Sequence, residues 1–136
     1  MLNIAQLQVG DSLPTLQHKP DNVALFMYNA ALWNAHRIHF DLPYATEVEG
    51  YPGLVIAGPL LGDWLTQCVQ NWIGDAARLR RIEYSNRQAA YIGETLTSSG
   101  TIQAIDLKAN EVTLEMAVLN EAGDNITPGT AVVRFY

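Results

Sequence analysis

The apolar positions of the chain follow two different periods. They recur as Leu60, Leu61, Trp64, Leu65, Cys68, Val69, Trp72 and Ile73, the spacing of one helical stripe. Gly58 precedes the run, Pro59 takes the first helical position and Gly74 lies just past the end, so the pattern predicts a helix over residues 59–73. Its stripe carries two tryptophans and needs a large sheet to lie against. A shorter helix is predicted from Asn22 to about Trp33. Asp21 stands where an N-cap belongs, and Val23, Phe26, Met27, Ala30 and Ala31 follow at helical spacing. Beyond Gly74 the period becomes two. Residues 78–85 alternate imperfectly, 94–107 form a long Thr/Ser/Ile stretch, and 111–119 alternate well through Val112, Leu114, Met116 and Val118. Residues 131–136 follow Pro128-Gly129. The polar and glycine residues of 106–110 and 120–125 suit hairpin connections. With a short extended stretch at 13–18, the order is strand, helix, irregular loop, long helix, then four antiparallel strands. That order predicts an α+β fold in which one long apolar helix is wrapped by a curved antiparallel sheet.

Composition narrows the picture. A chain of 136 residues without repeats or Ser/Gly-rich linkers suits one domain, 1–136, able to fold without disulfides or metal. The lone Cys68 excludes an internal disulfide and a multi-cysteine zinc site, and it suits a reducing compartment, so a cytoplasmic location is expected. The start, MLNIAQLQVGDSLP, lacks the basic and apolar stretches of a secretory signal. Apolar runs stay far below the ~18 residues that suggest a membrane span. Fourteen acidic against eight basic residues leave a net charge of −6, which argues against a nucleic-acid surface. Four of the eight basic residues, Arg78, Arg80, Arg81 and Arg87, nonetheless cluster, enough to hold a compact anion.

Two segments carry candidate chemistry. His36 and His39 stand three apart near the expected end of the first helix. Histidine, with an ordinary pKa of ~6.5, suits proton transfer near neutrality. Two imidazoles at a helix C-terminus also serve simply to complement the helix dipole. No third ligand is evident for a metal on this pair, and Cys68 belongs to the apolar stripe. Gly58 at a helix entrance leaves backbone N–H groups unpaired and lets a ligand come close, an arrangement able to polarise a carbonyl or hold an enolate. An ordinary glycine N-cap before Pro59 has the same sequence.

Taken together, Asn34-Ala-His-Arg-Ile-His-Phe-Asp41, Pro43-Tyr-Ala45 and Glu49-Gly-Tyr-Pro-Gly-Leu-Val55, with Gly58-Pro59, resemble the MaoC-type hotdog hydratases. These are the (R)-specific enoyl-thioester hydratases and dehydratases. The likeness is to the branch of mesaconyl-CoA-type hydratases and fungal-type 3-hydroxyacyl-thioester dehydratases. It runs over about residues 23–73, and the later strands match by order and length. The resemblance implies a single hotdog domain that hydrates an enoyl-CoA or dehydrates a 3-hydroxyacyl-CoA. It implies no cofactor beyond the coenzyme A that the substrate carries. In the family motif an aspartate is followed five positions later by the catalytic histidine, with Asn-Pro between them. His39 matches that histidine, Asn34 falls on the aspartate position and His36-Arg37 replaces the Asn-Pro. Gly58 matches the glycine whose N–H polarises the thioester carbonyl, and Ala57 stands where many members have histidine.

On that basis His39 takes the proton from water, Asn34 orients the water or the imidazole, and Gly58 meets the developing oxyanion. Glu49 or Asp41 is the candidate replacement for the missing carboxylate. Arg37, Arg81 and Arg87 are candidates for the phosphates of coenzyme A, with solvated strand-edge residues as the ordinary alternative. Tyr28, Trp33, Tyr44 and Tyr51 are candidates for an acyl pocket, or else core or dimer contacts. The resemblance further implies a homodimer joined sheet edge to sheet edge, with two sites near the interface. Two other functions fit the same residues. One is an acyl-CoA-binding hotdog without catalysis, suggested by Asn34. The other is an acyl-CoA thioesterase, for which Asp63 is the only acidic residue of the long helix.

Overall fold

A computed structural model describes residues 1–136. Two α-helices form, α1 over Asn22–Ala31 and α2 over Gly58–Ile73. Five strands accompany them: β1 Leu16–His18, β2 Ala77–Tyr84, β3 Leu96–Asp106, β4 Glu111–Leu119 and β5 Gly129–Phe135. All are antiparallel and make one sheet in the order β1-β3-β4-β5-β2. The expected hairpins join β3 to β4 and β4 to β5, while β2 lies at the far edge against β5. Register shifts at Leu79/Arg81 and Ile102/Ala104 bend the sheet around α2. The first of them explains the imperfect alternation of residues 78–85, because Arg80 is the extra residue of a bulge. At β1 the extended stretch begins earlier, with Leu13 N–H donating to Gly100 O at 2.9 Å. Pro14 then lacks a donor, and regular pairing waits until Leu16.

Helix α2 buries Leu61, Gly62, Trp64, Leu65, Cys68, Val69 and Ile73 against the concave face of the sheet. The facing layer includes Val112, Leu114, Met116 and Val118, the cleanly alternating positions of β4, all wholly buried. A side chain at Gly62 would collide with the Tyr84 ring, so glycine there lets α2 lie close to the end of β2. Trp64 stacks on His18 with ring centroids 4.2 Å apart, and His18 Nε2 meets Ser98 Oγ at 2.9 Å. Burial pushes the His18 pKa down, and the residue ties β1 and β3 to the helix. Leu65 is fully buried at the centre of this layer. Leu65→Ala is expected to cost ~2–5 kcal/mol, read as a lower urea midpoint with an unchanged m-value.

Helix α1 ends at Ala31, earlier than its apolar pattern predicts. Trp33 turns into the left-handed region at φ 54, and Asn34 N–H donates back to Asn29 O at 2.9 Å. His36 and His39 therefore lie beyond the helix, and a role for them at its C-terminal dipole is excluded. The region between the helices, expected to be irregular, holds a 3-10 turn at Arg37–His39 and a π-helical turn at Tyr44–Val48. It closes over a second small core of Leu25, Ile38, Ala45, Leu54, Val55 and Ala57. The segment that leaves β2 crosses to this core and pairs with it, Ile56 N–H reaching Ala90 O at 2.9 Å and Ile92 N–H reaching Leu54 O at 3.1 Å. Among the candidates, His39, Gly58 and Arg87 line the space between the two cores. No helix is long and apolar enough to cross a membrane.

Candidate active site

The short turn at Arg37–His39 is tied to the strand-like residues before α2. Val55 N–H donates to Ile38 O at 3.0 Å, and His39 Nδ1 lies 2.6 Å from Val55 O. A carbonyl only accepts, so Nδ1 carries the hydrogen, and in the neutral ring Nε2 is left as a bare acceptor. His39 is 6% exposed. Burial pushes its pKa below the usual histidine value, against the opposing pull of the Val55 carbonyl, and the nearby His36 lowers it further. The two rings meet edge to face with centroids 5.6 Å apart. His39 is thus held as a neutral, oriented imidazole, the form a general base requires.

His39 lines a cavity of about 280 Å³ together with Gly58, Leu61, Asn86, Arg87 and Ala90. Gly58 opens α2 as its first residue, and no side chain caps this end. Leu60 N–H finds Ala57 O at 3.0 Å and Pro59 has no N–H, whereas the Gly58 N–H has no partner within the protein. The structure therefore brings a proton acceptor and an unpaired backbone donor to one cavity.

The other sequence candidates are distributed differently. Asn34 Oδ1 accepts from His36 N–H at 3.2 Å, and the residue lines a separate cavity of about 240 Å³ with Phe26, Asn29, Trp33 and Phe40. Trp33 is 94% exposed at its rim. Arg37 places Nε and Nη2 at 3.0 and 2.8 Å from Asp41 Oδ2, and its guanidinium lies over the Tyr44 ring. That pairing and the Tyr44 N–H hold the Asp41 carboxyl below the usual range. Tyr44 in turn donates its hydroxyl to Glu49 at 2.8 Å. Arg37, Asp41, Tyr44 and Glu49 form a surface network bracing the π-helical turn, and none lines the His39 cavity. Arg81 is exposed on β2, 3.7 Å from Glu83. Of the three arginine candidates only Arg87 reaches the cavity. Tyr28 donates its hydroxyl to Asp63 at 2.6 Å, clamping α1 to α2, and burial together with that carboxylate raises its pKa. Tyr51 packs beside Tyr91. Neither Tyr28, Tyr51 nor Asp63 lines the His39 cavity.

Asn86 and Asn29 escape a reading of the sequence alone. Asn86 enters the site only because the segment after β2 crosses to residues 54–56, a long-range pairing that no local pattern signals. Asn29 looks like an ordinary helix position, yet it is 1% exposed. Its Nδ2 donates to Leu25 O at 2.7 Å while Oδ1 is left without a partner. No group of three or more His, Cys, Asp or Glu comes together as a metal site. Cys68 is buried, and burial raises its pKa, so it is not a nucleophile in waiting.

Comparison with known proteins places this geometry in context. Mesaconyl-C(4)-CoA hydratase of Chloroflexus aurantiacus is 50% identical over 52 residues, 38% of this chain and 19% of that protein. The mitochondrial hydroxyacyl-thioester dehydratase type 2 of Schizosaccharomyces pombe is 32% identical over 78 residues, 57% of this chain and 26% of that protein. The chain thus spans only a minor part of the length of either relative. In three dimensions it resembles an (R)-hydratase from A. caviae, with a TM-score of 0.87 at 17% identity over 96% of this chain and 98% of that one. At that identity the likeness speaks for the hotdog fold. The model of the family described as hydroxyacyl-thioester dehydratase type 2 matches residues 6–92, which include His39, Gly58 and Asn86. With that match over more than half of its length, the chain belongs to the hydroxyacyl-thioester dehydratase type 2 family.

Proposed function

We propose that the protein adds water to an enoyl-CoA, or removes it from a 3-hydroxyacyl-CoA, at the cavity between His39 and Gly58. One observation carries the reading. A buried neutral imidazole with its Nε2 free and an unpaired backbone N–H face the same small space. Water needs a base, and the thioester oxygen, which gathers negative charge as water adds to the β-carbon, needs a donor. His39 Nε2 takes one proton from water as the oxygen bonds to the β-carbon. The electron pair of the double bond moves to the enolate, whose oxygen meets the Gly58 N–H. The imidazolium then returns a proton to the α-carbon, and dehydration runs the same steps backwards. The chemistry draws only on the substrate's own coenzyme A.

The cavity, at about 280 Å³, suits a short acyl end rather than a whole coenzyme A, which then lies outside its mouth. Arg87 stands at that mouth and is the candidate for a phosphate. Arg87→Ala is expected to raise KM for a CoA thioester ~10-fold with kcat little changed, an effect that shrinks as salt is added. Homodimerisation belongs to the same reading. β1 and β2 are unpaired edges, and Val23, Phe26, Met27 and Trp33 leave apolar surface around α1. A reducing, cytoplasmic setting fits the single thiol, although the S. pombe relative is named mitochondrial.

The test is loss of the conjugated thioester absorbance with crotonyl-CoA and mesaconyl-CoA. Turnover of either supports the reading. Saturable binding of both esters without turnover overturns it in favour of a non-catalytic acyl-CoA-binding protein. Asn34 favours that second reading, since it replaces the family's aspartate and lines a different cavity from His39. Release of free thiol would instead mark a thioesterase, for which Asp63, bound to Tyr28, offers no group at the cavity.

A further inference from the structure

Resting on the hydratase reading, we propose that Asn86 supplies the second donor for the thioester oxygen. Its side-chain Nδ2–H stands beside the Gly58 N–H, and Thr127 holds the amide in that orientation.

Asn86 follows directly after β2 and lines the cavity with His39 and Gly58. Its backbone is pinned on both sides, Ser85 N–H donating to Pro128 O at 3.0 Å and Arg87 N–H to Ile126 O at 2.9 Å. Between those two acceptors lies Thr127, wholly buried, whose Oγ1–H donates to Asn86 Oδ1 at 3.1 Å. That bond occupies the oxygen of the amide and turns Nδ2 the other way. Nδ2 has no acceptor within the protein, and it occupies the place a side chain at Gly58 would take. Two unpaired N–H donors therefore flank one glycine Cα. No carboxylate lines this cavity, and Arg87 is its only charged residue. Such a wall suits an oxygen that becomes negative. A carbonyl oxygen has two lone pairs, and two preorganised donors meet both. An amide turned the other way would aim Oδ1 at the Gly58 N–H and close the hole.

The carbonyl stretch of [1-13C]butyryl-CoA, read by infrared difference spectroscopy, tests the donor pair directly. The ester is saturated, so polarisation is read whether or not the protein catalyses hydration. The wild type is expected to lower the frequency on binding, and Asn86→Ala to return it towards that of the free ester. With crotonyl-CoA, Asn86→Ala is expected to lower kcat ~10²-fold with a much smaller change in KM. Asn86→Asp, which sets an acceptor where a donor stood, is expected to fall further. Thr127→Val is expected to reproduce part of both effects, and Thr127→Ser to restore them. An unmoved carbonyl band and an unchanged kcat in Asn86→Ala, with the wild type still hydrating, would overturn the donor pair and leave the hydratase reading intact. A raised kcat in Asn86→Ala would also overturn it, by showing the amide turned to cap Gly58. A wild type that shifts the band through Asn86 but never hydrates would support the donor pair while removing the reaction.

Discussion

His39→Ala is expected to lose hydration of crotonyl-CoA by ~10²–10⁴-fold in kcat while CoA-thioester binding persists. The expectation follows from where the ring sits. Its Nδ1–H is committed to Val55 O at 2.6 Å, so the variant removes the one side chain in the cavity able to take a proton. Arg87, the proposed phosphate contact, is untouched. Near-wild-type turnover in His39→Ala would remove the residue from the mechanism. The pH profile gives an independent reading. Burial lowers the His39 pKa, so the base stays neutral, and kcat/KM holds, at pH values where an exposed histidine of pKa ~6.5 is already protonated. The acid limb should therefore fall below that value.

The same shift has a sign for stability. A histidine whose folded pKa lies below its unfolded value contributes in full above ~6.5, and that contribution is lost as pH falls through the folded value. Between those values the unfolded chain binds the proton first. The wild type should thus lose stability faster than His39→Ala on acidification through this window. His18, also pushed down by burial, is present in both proteins and cancels.

How much of this was legible in the sequence depends on the range of the interactions involved. The long helix and the β4 strand announced themselves because their periods coincide with their burial. The residues from Leu61 to Ile73 that share a stripe are the ones packed on the sheet, and Val112 to Val118 alternate into the same layer. The end of α1 was hidden because Ala31, Leu32 and Trp33 continue an apolar pattern that the backbone abandons, with Trp33 at φ 54 and almost wholly exposed. His39 and Gly58 were marked by motif and by helix-entrance chemistry, and the fold brings both to one cavity. Glu49, Arg37 and Asp41 lie near His39 along the chain but turn outward into a surface network, because Tyr44 sits between them as a shared partner. Asn86 had no local signal. It reaches the site through a crossing segment whose partners lie some thirty and forty residues away, at Ile56 and Thr127.

Gly58→Ala is expected to lower kcat by ~10²–10³-fold at a cost of only ~1–3 kcal/mol in folding stability, from the Thr127 hydroxyl that loses Asn86. The two halves of that expectation have separate causes. Gly58 is not in the left-handed region, so its backbone accepts an alanine without strain. Position 58 is also the first residue of α2, where alanine is at no disadvantage within the helix. The obstacle is space alone. The new methyl group runs into Asn86 Nδ2, the far end of an exposed side chain, which gives up its bond to Thr127 and swings away more cheaply than the helix moves. The methyl also stands beside the Gly58 N–H and keeps the thioester oxygen from it. The fold therefore survives while the donor wall is spoiled. Thermal unfolding of Gly58→Ala should stay cooperative, with a midpoint lowered no more than in Asn86→Ala, which frees the same Thr127 hydroxyl, and kcat should fall with KM moving much less, the mark of an interaction made in the transition state. A variant that unfolds well before Asn86→Ala would show that the glycine serves packing. One that folds and hydrates normally would show that the thioester oxygen lies elsewhere. Combining Gly58→Ala with Asn86→Ala separates the remaining causes. If the lost rate came from displacing the amide, the double variant should be no slower than Gly58→Ala alone, because the group the methyl pushes aside is already gone.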